Sequence, residues 1–298
     1  MSDSMHVFDR RAVRRHRDRA APGIAAADFL FRESAERLAD RLNDVTRTFD
    51  VALDLGCGSG SMGPVLRASS KIGRLIQCDL SPVMARIAAV NGAASFAANE
   101  EQLPVADASL DLIVSNLALH WVNDLPGALI QARRALKPDG LFVATVFGLE
   151  TLRELRAALL EAEADIAGGA SRRVSPFTDV RDAGGLLSRA GFALPVVDAD
   201  AVTVTYTDMF RLMADLRAMG ETNSVAGRRQ AASRRDVFAR AAEIYAARFS
   251  DARGRIVATF QIITLTAWAP HPRQQKPMRP GTAQVHLADV LSGPRGAS

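Results

Sequence analysis

The chain of 298 residues has only two cysteines, Cys57 and Cys78, too few for a disulfide framework or a cysteine-rich zinc site. No apolar run approaches the roughly 20 residues that a bilayer-spanning helix needs, which excludes an integral helical membrane protein. No apolar signal core stands near the N-terminus, so a reducing compartment is expected, cytoplasmic for a bacterial chain. H-E-x-x-H and C-x-x-C are both absent and the five histidines are scattered, so no metal is expected. The lack of a G-x-S-x-G elbow argues against a hydrolase. Neither sign of charge dominates: 37 Lys and Arg against 33 Asp and Glu leave +4, which does not mark a nucleic-acid binder. What is present, 48% hydrophobic and 23% charged residues, is globular composition and rules out a disordered chain.

The positive charge is uneven. Arg10, Arg11, Arg14, Arg15, Arg17 and Arg19 crowd one polar stretch, and Arg228, Arg229, Arg234 and Arg235 form a second cluster. Charge runs of this kind are most often solvated helix faces; the sharper reading is a docking surface for an acidic partner or, at the N-terminus, peripheral contact with the inner face of the inner membrane.

From Ile24 to Val45 apolar residues recur every three or four positions, an amphipathic helix. From Phe49 onward short apolar runs alternate with helical patterns. Strands are expected at 49–55, 75–79, 95–98, 110–116 and 141–147, with helices at 62–68, 82–91 and 124–136. Ser81-Pro82 reads as a cap with proline at the first helical position, and Lys137-Pro138-Asp139-Gly140 as a turn. That rhythm predicts βαβ units and an α/β, doubly wound, mostly parallel sheet. After Phe147 it changes: helices are expected at 149–166, 180–190, 207–219 and 234–249, with strands at 196–206 and 258–268. The expected organisation is a helical segment (1–48), a ligand-binding core (49–148), a helical cap with the last strands (149–268) and an extended tail (269–298) marked by Pro270, Pro272, Pro277 and Pro280.

Asp54-Leu55-Gly56-Cys57-Gly58-Ser59-Gly60 sits between a strand and a helix. Glycines there let the backbone turn tightly and approach a ligand. Asp79 lies 19 residues beyond Gly60 at the next strand end, where an open α/β sheet places a carboxylate for ribose hydroxyls. A dinucleotide fingerprint spaces its last two glycines further apart. A carboxylate at Asp54 would repel a pyrophosphate but suit an ammonium and a sulfonium, which favours S-adenosyl-L-methionine over NAD. Asn99-Glu100 and Ser115-Asn116 end the next two strands beside the same crevice. His120, before Trp121, is the histidine nearest to it, although such pairs more often pack a helix start.

DLGCGSG, QCDLS, NEEQLP, SNLALHWVND and LKPDG resemble the successive motifs of class I S-adenosylmethionine-dependent methyltransferases, a seven-stranded Rossmann-like fold. FDRRAVRRHRD, VFGLETLRELR, VSPFTDVRDAGGLLSRAGF, MFRLMADLRAMGETN and ATFQIITLTAW extend the resemblance, over about residues 8–268, to the complex I (NADH:ubiquinone oxidoreductase) assembly factor five family and its bacterial relatives. The malonyl-acyl-carrier-protein methyltransferases of biotin synthesis are the neighbouring family.

The resemblance implies that Asp54, Gly56, Gly58 and Gly60 line the methionine moiety and that Asp79, with Leu80 beside it, holds the ribose. It also implies that Asn99 and Glu100 flank the adenine and Asn116 the transferred group. Aspartate is common in the family where this chain has Asn99; its carbonyl can still accept from the adenine amino group. The first implied activity is modification of a protein, arginine hydroxylation on an iron–sulfur subunit of complex I. The second, from the neighbouring family, is carboxyl O-methylation of a malonyl thioester on an acyl carrier protein; an acidic carrier would suit the basic patches, and Arg153 or Arg156, after the fifth strand, could grip the carboxylate. The third is a non-catalytic assembly chaperone that keeps the cofactor fold. The candidate catalytic residues are His120, Arg153 and Arg156.

Overall fold

A computed structural model describes residues 6–90, 92–169, 171, 173–175, 179–228 and 234–275. The N-terminal arginine run folds as helix α1 (Arg10–Ala20). Asp9 caps it, accepting from the Ala12 amide at 3.0 Å. Ala12, Val13, Arg17 and Ala20 are buried, whereas Arg11, Arg14, Arg15 and Arg19 face solvent. The run is therefore neither a purely solvated face nor a purely external docking surface, because part of it points into the molecule.

A 3-10 turn over Ala21–Ala26 separates α1 from α2 (Phe29–Asp44). The single helix expected from Ile24 begins later because the 3-10 turn runs on to Ala26 and Ala27 leaves the helical region at φ −129°. The alternating region follows as β1 (Phe49–Leu55), α3 (Met62–Ala68), β2 (Ile72–Asp79), α4 (Pro82–Ala89), β3 (Ala94–Ala97), β4 (Leu110–Asn116), α5 (Leu125–Ala135) and β5 (Leu136–Phe147). Ser81 caps α4 by accepting from the Met84 amide at 3.1 Å, and Asp124 caps α5 through the Gly127 amide at 2.9 Å.

Lys137–Gly140, expected as a free turn, lies inside β5 as an irregularity. The register to β4 shifts there, Asp139 takes φ +63°, and the Asp139 amide bonds to Ala269. Pairing with the end of the last strand outweighs the local turn signal.

The second half comprises α6 (Arg153–Ala167), α7 (Val180–Arg189), β6 (Ala193–Tyr206), α8 (Met209–Ala218), α9 (Arg235–Arg248) and β7 (Ile256–Trp268). The α6 helix starts later than its pattern suggested because Leu152 is held at φ +55°, its amide donating to Thr259. The tail beyond 275 lies outside the described residues, as does Arg229.

The sheet has seven strands in the order β3-β2-β1-β4-β5-β7-β6. The first five pair in parallel, and β7 runs antiparallel between β5 and β6. Every residue of β4 is buried, as expected for a central strand covered on both faces. Leu53, Ile113 and Phe142 pack with Leu129 of α5 and Leu187 of α7. Leu112 and Val114 pack with Leu38 of α2 and Met62 of α3. A third cluster joins Leu155, Leu212 and Tyr245 of the cap helices to Phe260 and Ile262 of β7. Among the described residues no helix is long and apolar enough to cross a membrane.

Candidate functional site

Parallel strands deliver their carboxyl ends to one edge of the sheet, where the predicted residues gather. After β1 the chain turns through Gly56 (φ +75°) and Gly58 (φ +53°), positions where glycine relieves strain. The Gly56 and Cys57 amides donate to the Cys78 carbonyl at 2.8 and 2.9 Å, tying the loop to β2. A Cβ on Gly56 would stand 2.4 Å from the Ala118 Cβ, whereas one on Gly58 would meet nothing within 4 Å.

Asp79, at the end of β2, is fully buried. Its Oδ2 accepts from the Gly58 amide at 3.0 Å and its Oδ1 from Ser81 at 2.7 Å. Arg17 of α1 completes the shell: its Nη1 lies 2.9 Å from Asp79 Oδ2 and 3.5 Å from Glu100 Oε1. Arg10, two turns earlier on the same helix, pairs with Glu100 and donates to Asn99 Oδ1 at 3.2 Å. Two arginines thus neutralise two buried carboxylates. Burial pushes the Asp79 carboxyl up, Arg17 opposes this, and Glu100 adds to it. Against the cost of burial, Asp79 and Glu100 hold the Arg17 guanidinium firmly charged. Leu80 packs with Phe8, Val13 and Trp121 under the same helix.

Asn116 closes the other side. Its amide donates to the Phe31 carbonyl (2.8 Å) and Ser61 (3.2 Å), and its carbonyl accepts from Thr145 (3.0 Å). Asp54 sits behind the loop and outside the crevice wall. Its Oδ2 accepts from Gln77 at 3.1 Å, and its buried Oδ1 accepts from no described residue. Burial pushes this carboxyl up to about 7, against the Gln77 hydrogen bond and with help from Asp79. A carboxyl pushed up in this way repels a pyrophosphate less than an ordinary one, which leaves the glycine spacing as the feature that sets this loop apart from a dinucleotide site.

Two spaces meet at this edge. The crevice between Arg17, Gly56, Gly58, Met84, Asn116 and Glu221 measures about 30 Å³. Beside it lies a cavity of about 220 Å³ under the cap, walled by Trp121, Phe147, Leu155, Leu159, Phe238 and Phe260. Glu221 lines both. Its Oε2 accepts from Trp121 Nε1 at 2.9 Å and lies 3.1 Å from His120 Nε2, while Oε1 takes no hydrogen bond from a described residue. Arg173, paired with Glu163 at 2.6 Å, and exposed Arg217 also line the larger cavity.

The catalytic candidates read from sequence are placed elsewhere. His120 is buried in the wall against the Phe147 ring, 4.9 Å between centroids, and faces neither space. Arg153 is bound to Glu150 and Glu154, and Arg156 donates to the Leu149 and Thr151 carbonyls. Leu152, just before α6, and Leu155 and Leu159 of the helix line the cavity, and neither arginine does. Arg10, Arg17 and Glu221 were missed. The first two had a readable signal, since Arg10, Val13, Arg17 and Ala20 form one stripe at helical spacing. Glu221 had none.

The crevice suits an adenosyl ligand chemically. Arg17, which lines it, is held by two carboxylates of the kind that accept hydroxyls, and Gly58 leaves open space beside them. A family profile described as a methyltransferase domain matches residues 53–144. The mitochondrial arginine-hydroxylase NDUFAF5 of Danio rerio is 42% identical over 290 residues, covering 96% of this chain and 90% of that protein. A malonyl-[acyl-carrier protein] O-methyltransferase of Methylovorus sp. (strain MP688) is 34% identical, covering 93% of this chain and 95% of that protein. The solved structure of a Haemonchus contortus phosphoethanolamine N-methyltransferase bound to S-adenosylhomocysteine superimposes with a TM-score of 0.53 at 16% identity. That match covers 87% of this chain and 60% of the other, and shows the shared fold. The strand order, the glycine loop and these similarities together place the chain in the class I S-adenosylmethionine-dependent methyltransferase family, among the members that include the NDUFAF5 proteins.

Proposed function

We propose that this protein binds S-adenosyl-L-methionine in the crevice and modifies an arginine side chain of a protein substrate, an iron–sulfur subunit of respiratory complex I. The observation that carries this reading is Glu221. The reacting group of a substrate must lie where the two spaces meet, and the residue there is a carboxylate whose Oε1 takes no hydrogen bond from a described residue. A guanidinium pairs with a carboxylate and lies well on aromatic faces such as Trp121 and Phe147. When bound, the cofactor supplies a methyl carbon activated by its sulfonium. The chain's own residues do the rest: Asp79 and Glu100 offer acceptors to hydroxyls, Glu221 orients the guanidinium, and the aromatic wall excludes water. The similarity to relatives named arginine-hydroxylase supports the choice of acceptor.

The test is mass spectrometry of the iron–sulfur subunit from cells with and without the protein. One arginine is expected to carry an added group only in its presence. A gain of one oxygen reports hydroxylation, and a gain of one CH₂ reports methylation. Glu221→Gln should abolish the modification while the protein stays folded. An unmodified subunit in both strains overturns the reading.

A second reading, carboxyl O-methylation of a malonyl thioester on an acyl carrier protein, draws on Arg173 and Arg217 in the same cavity. Glu221 would repel a carboxylate at the junction, which places this reading second. Restored growth of a biotin-requiring strain lacking that methyltransferase would reverse the order.

A further inference from the structure

In this conformation the protein fills its own cofactor crevice. Asp79 spends Oδ2 on Arg17 and Gly58 and Oδ1 on Ser81, and Glu100 is engaged by Arg10 and Arg17. The remaining 30 Å³ holds a water or two, whereas ligand pockets run to about 300 Å³ or more. The element responsible is α1, which brings a 6%-exposed arginine to the carboxylate meant for a ribose.

We propose that α1 is a displaceable plug, with Arg17 standing in for the cofactor's hydroxyls at Asp79 until the cofactor levers the helix out. The plug also reaches the substrate side. Just before α1 the chain pairs with the segment after Glu221: the Asp9 amide bonds to Ser224 and the Ala226 amide to Val7, each at 2.8 Å. His16 Nδ1 lies 3.0 Å from Ser224 Oγ, Arg228 reaches Asp9 at 3.2 Å, and Phe8 packs edge-on to Trp121. Thr222 and Asn223 of that segment line the larger cavity. Moving α1 therefore opens the crevice and loosens one wall of the cavity together, so cofactor binding prepares the substrate space.

The inference rests on the cofactor reading above, and its test separates the two. Phe8 and Val225 face each other as a non-hydrogen-bonded antiparallel pair, a geometry with Cα atoms about 4.5 Å apart that a disulfide can span. In the Phe8→Cys/Val225→Cys protein, calorimetry with S-adenosylhomocysteine should show binding much more than about tenfold weaker when oxidised than when reduced. In Arg17→Gln, with Asp79 released, binding should be about tenfold tighter than in wild type, as removing a plug closed in about nine molecules of ten requires. Hydrogen exchange of α1 amides should rise in wild type on adding S-adenosylhomocysteine. Equal affinity of the oxidised and reduced forms, or weaker binding by Arg17→Gln, overturns the plug and leaves the cofactor reading standing. Failure of every folded form to bind S-adenosylhomocysteine overturns both.

Discussion

Gly56 and Gly58 lie two residues apart in one loop and do different work. Both have positive φ, which an L side chain adopts at a cost of about 1–2 kcal/mol. Only Gly56 also faces a neighbour, Ala118, with no room for a Cβ. Gly58→Ala should therefore lower stability by about 1 kcal/mol, and Gly56→Ala by about 3 kcal/mol once the clash is added. Urea denaturation at constant m-value measures the difference, and equal losses would mean that Ala118 gives way. Asp54 makes a pH-dependent contribution of the opposite sign to an ion-paired carboxylate. Its folded value near 7 lies above the ordinary 3.8, so the folded state holds a proton that the unfolded state has released. Stability from this group is thus greatest below about 4 and declines as pH rises toward 7. Asp54→Asn, which keeps the shape without the charge, should flatten that decline. Unfolding free energies of the two proteins across pH 4–8 test this, and parallel curves would show that Asp54 is already ionised.

At the scale of elements, α1 depends on the residue that caps it. Asp9 caps the Ala12 amide and also receives Arg228, so it joins the helix to the 224–228 segment. Asp9→Ala should cost about 1–2 kcal/mol by loss of the cap. Hydrogen exchange should show fraying confined to α1 while β4, buried throughout, keeps its protection. Uniform loss of protection would mean that α1 unfolds only with the whole molecule. Most elements were legible in the sequence because the signals that specify them are local. Ser81-Pro82 carries a cap and a proline suited to the first helical position, and the short apolar run 110–116 fits a strand buried on both faces. Where local signals competed with pairing they lost, as at 137–140, where the bond between Asp139 and Ala269 draws a proline–glycine turn into a strand.

Across the whole molecule, β7 joins two cores. Its Ile262–Ile256 half packs with α6, α8 and α9, and its Ile263–Ala267 half packs with the central sheet. A core at 49–148 and a cap at 149–268 that share one strand should melt as one unit. Calorimetry should give equal calorimetric and van't Hoff enthalpies, and two resolved transitions would show that the cap is independent. The sequence by itself determined the strand–helix rhythm, the glycine loop and the acid at the end of β2, since each depends on neighbours a few residues away. The geometry of parallel strands then gathered Asp79, Glu100 and Asn116 at one edge. Only the tertiary structure decided the rest. Arg17 reaches Asp79 across 62 positions and Glu221 reaches His120 across 101, while Arg153 and Arg156 turn away from the cavity their spacing suggested. Periodicity says which face of a helix is apolar and which residues share it. A charge on that face is given a partner only by the element packed opposite, and in this fold that element comes from a distant part of the chain.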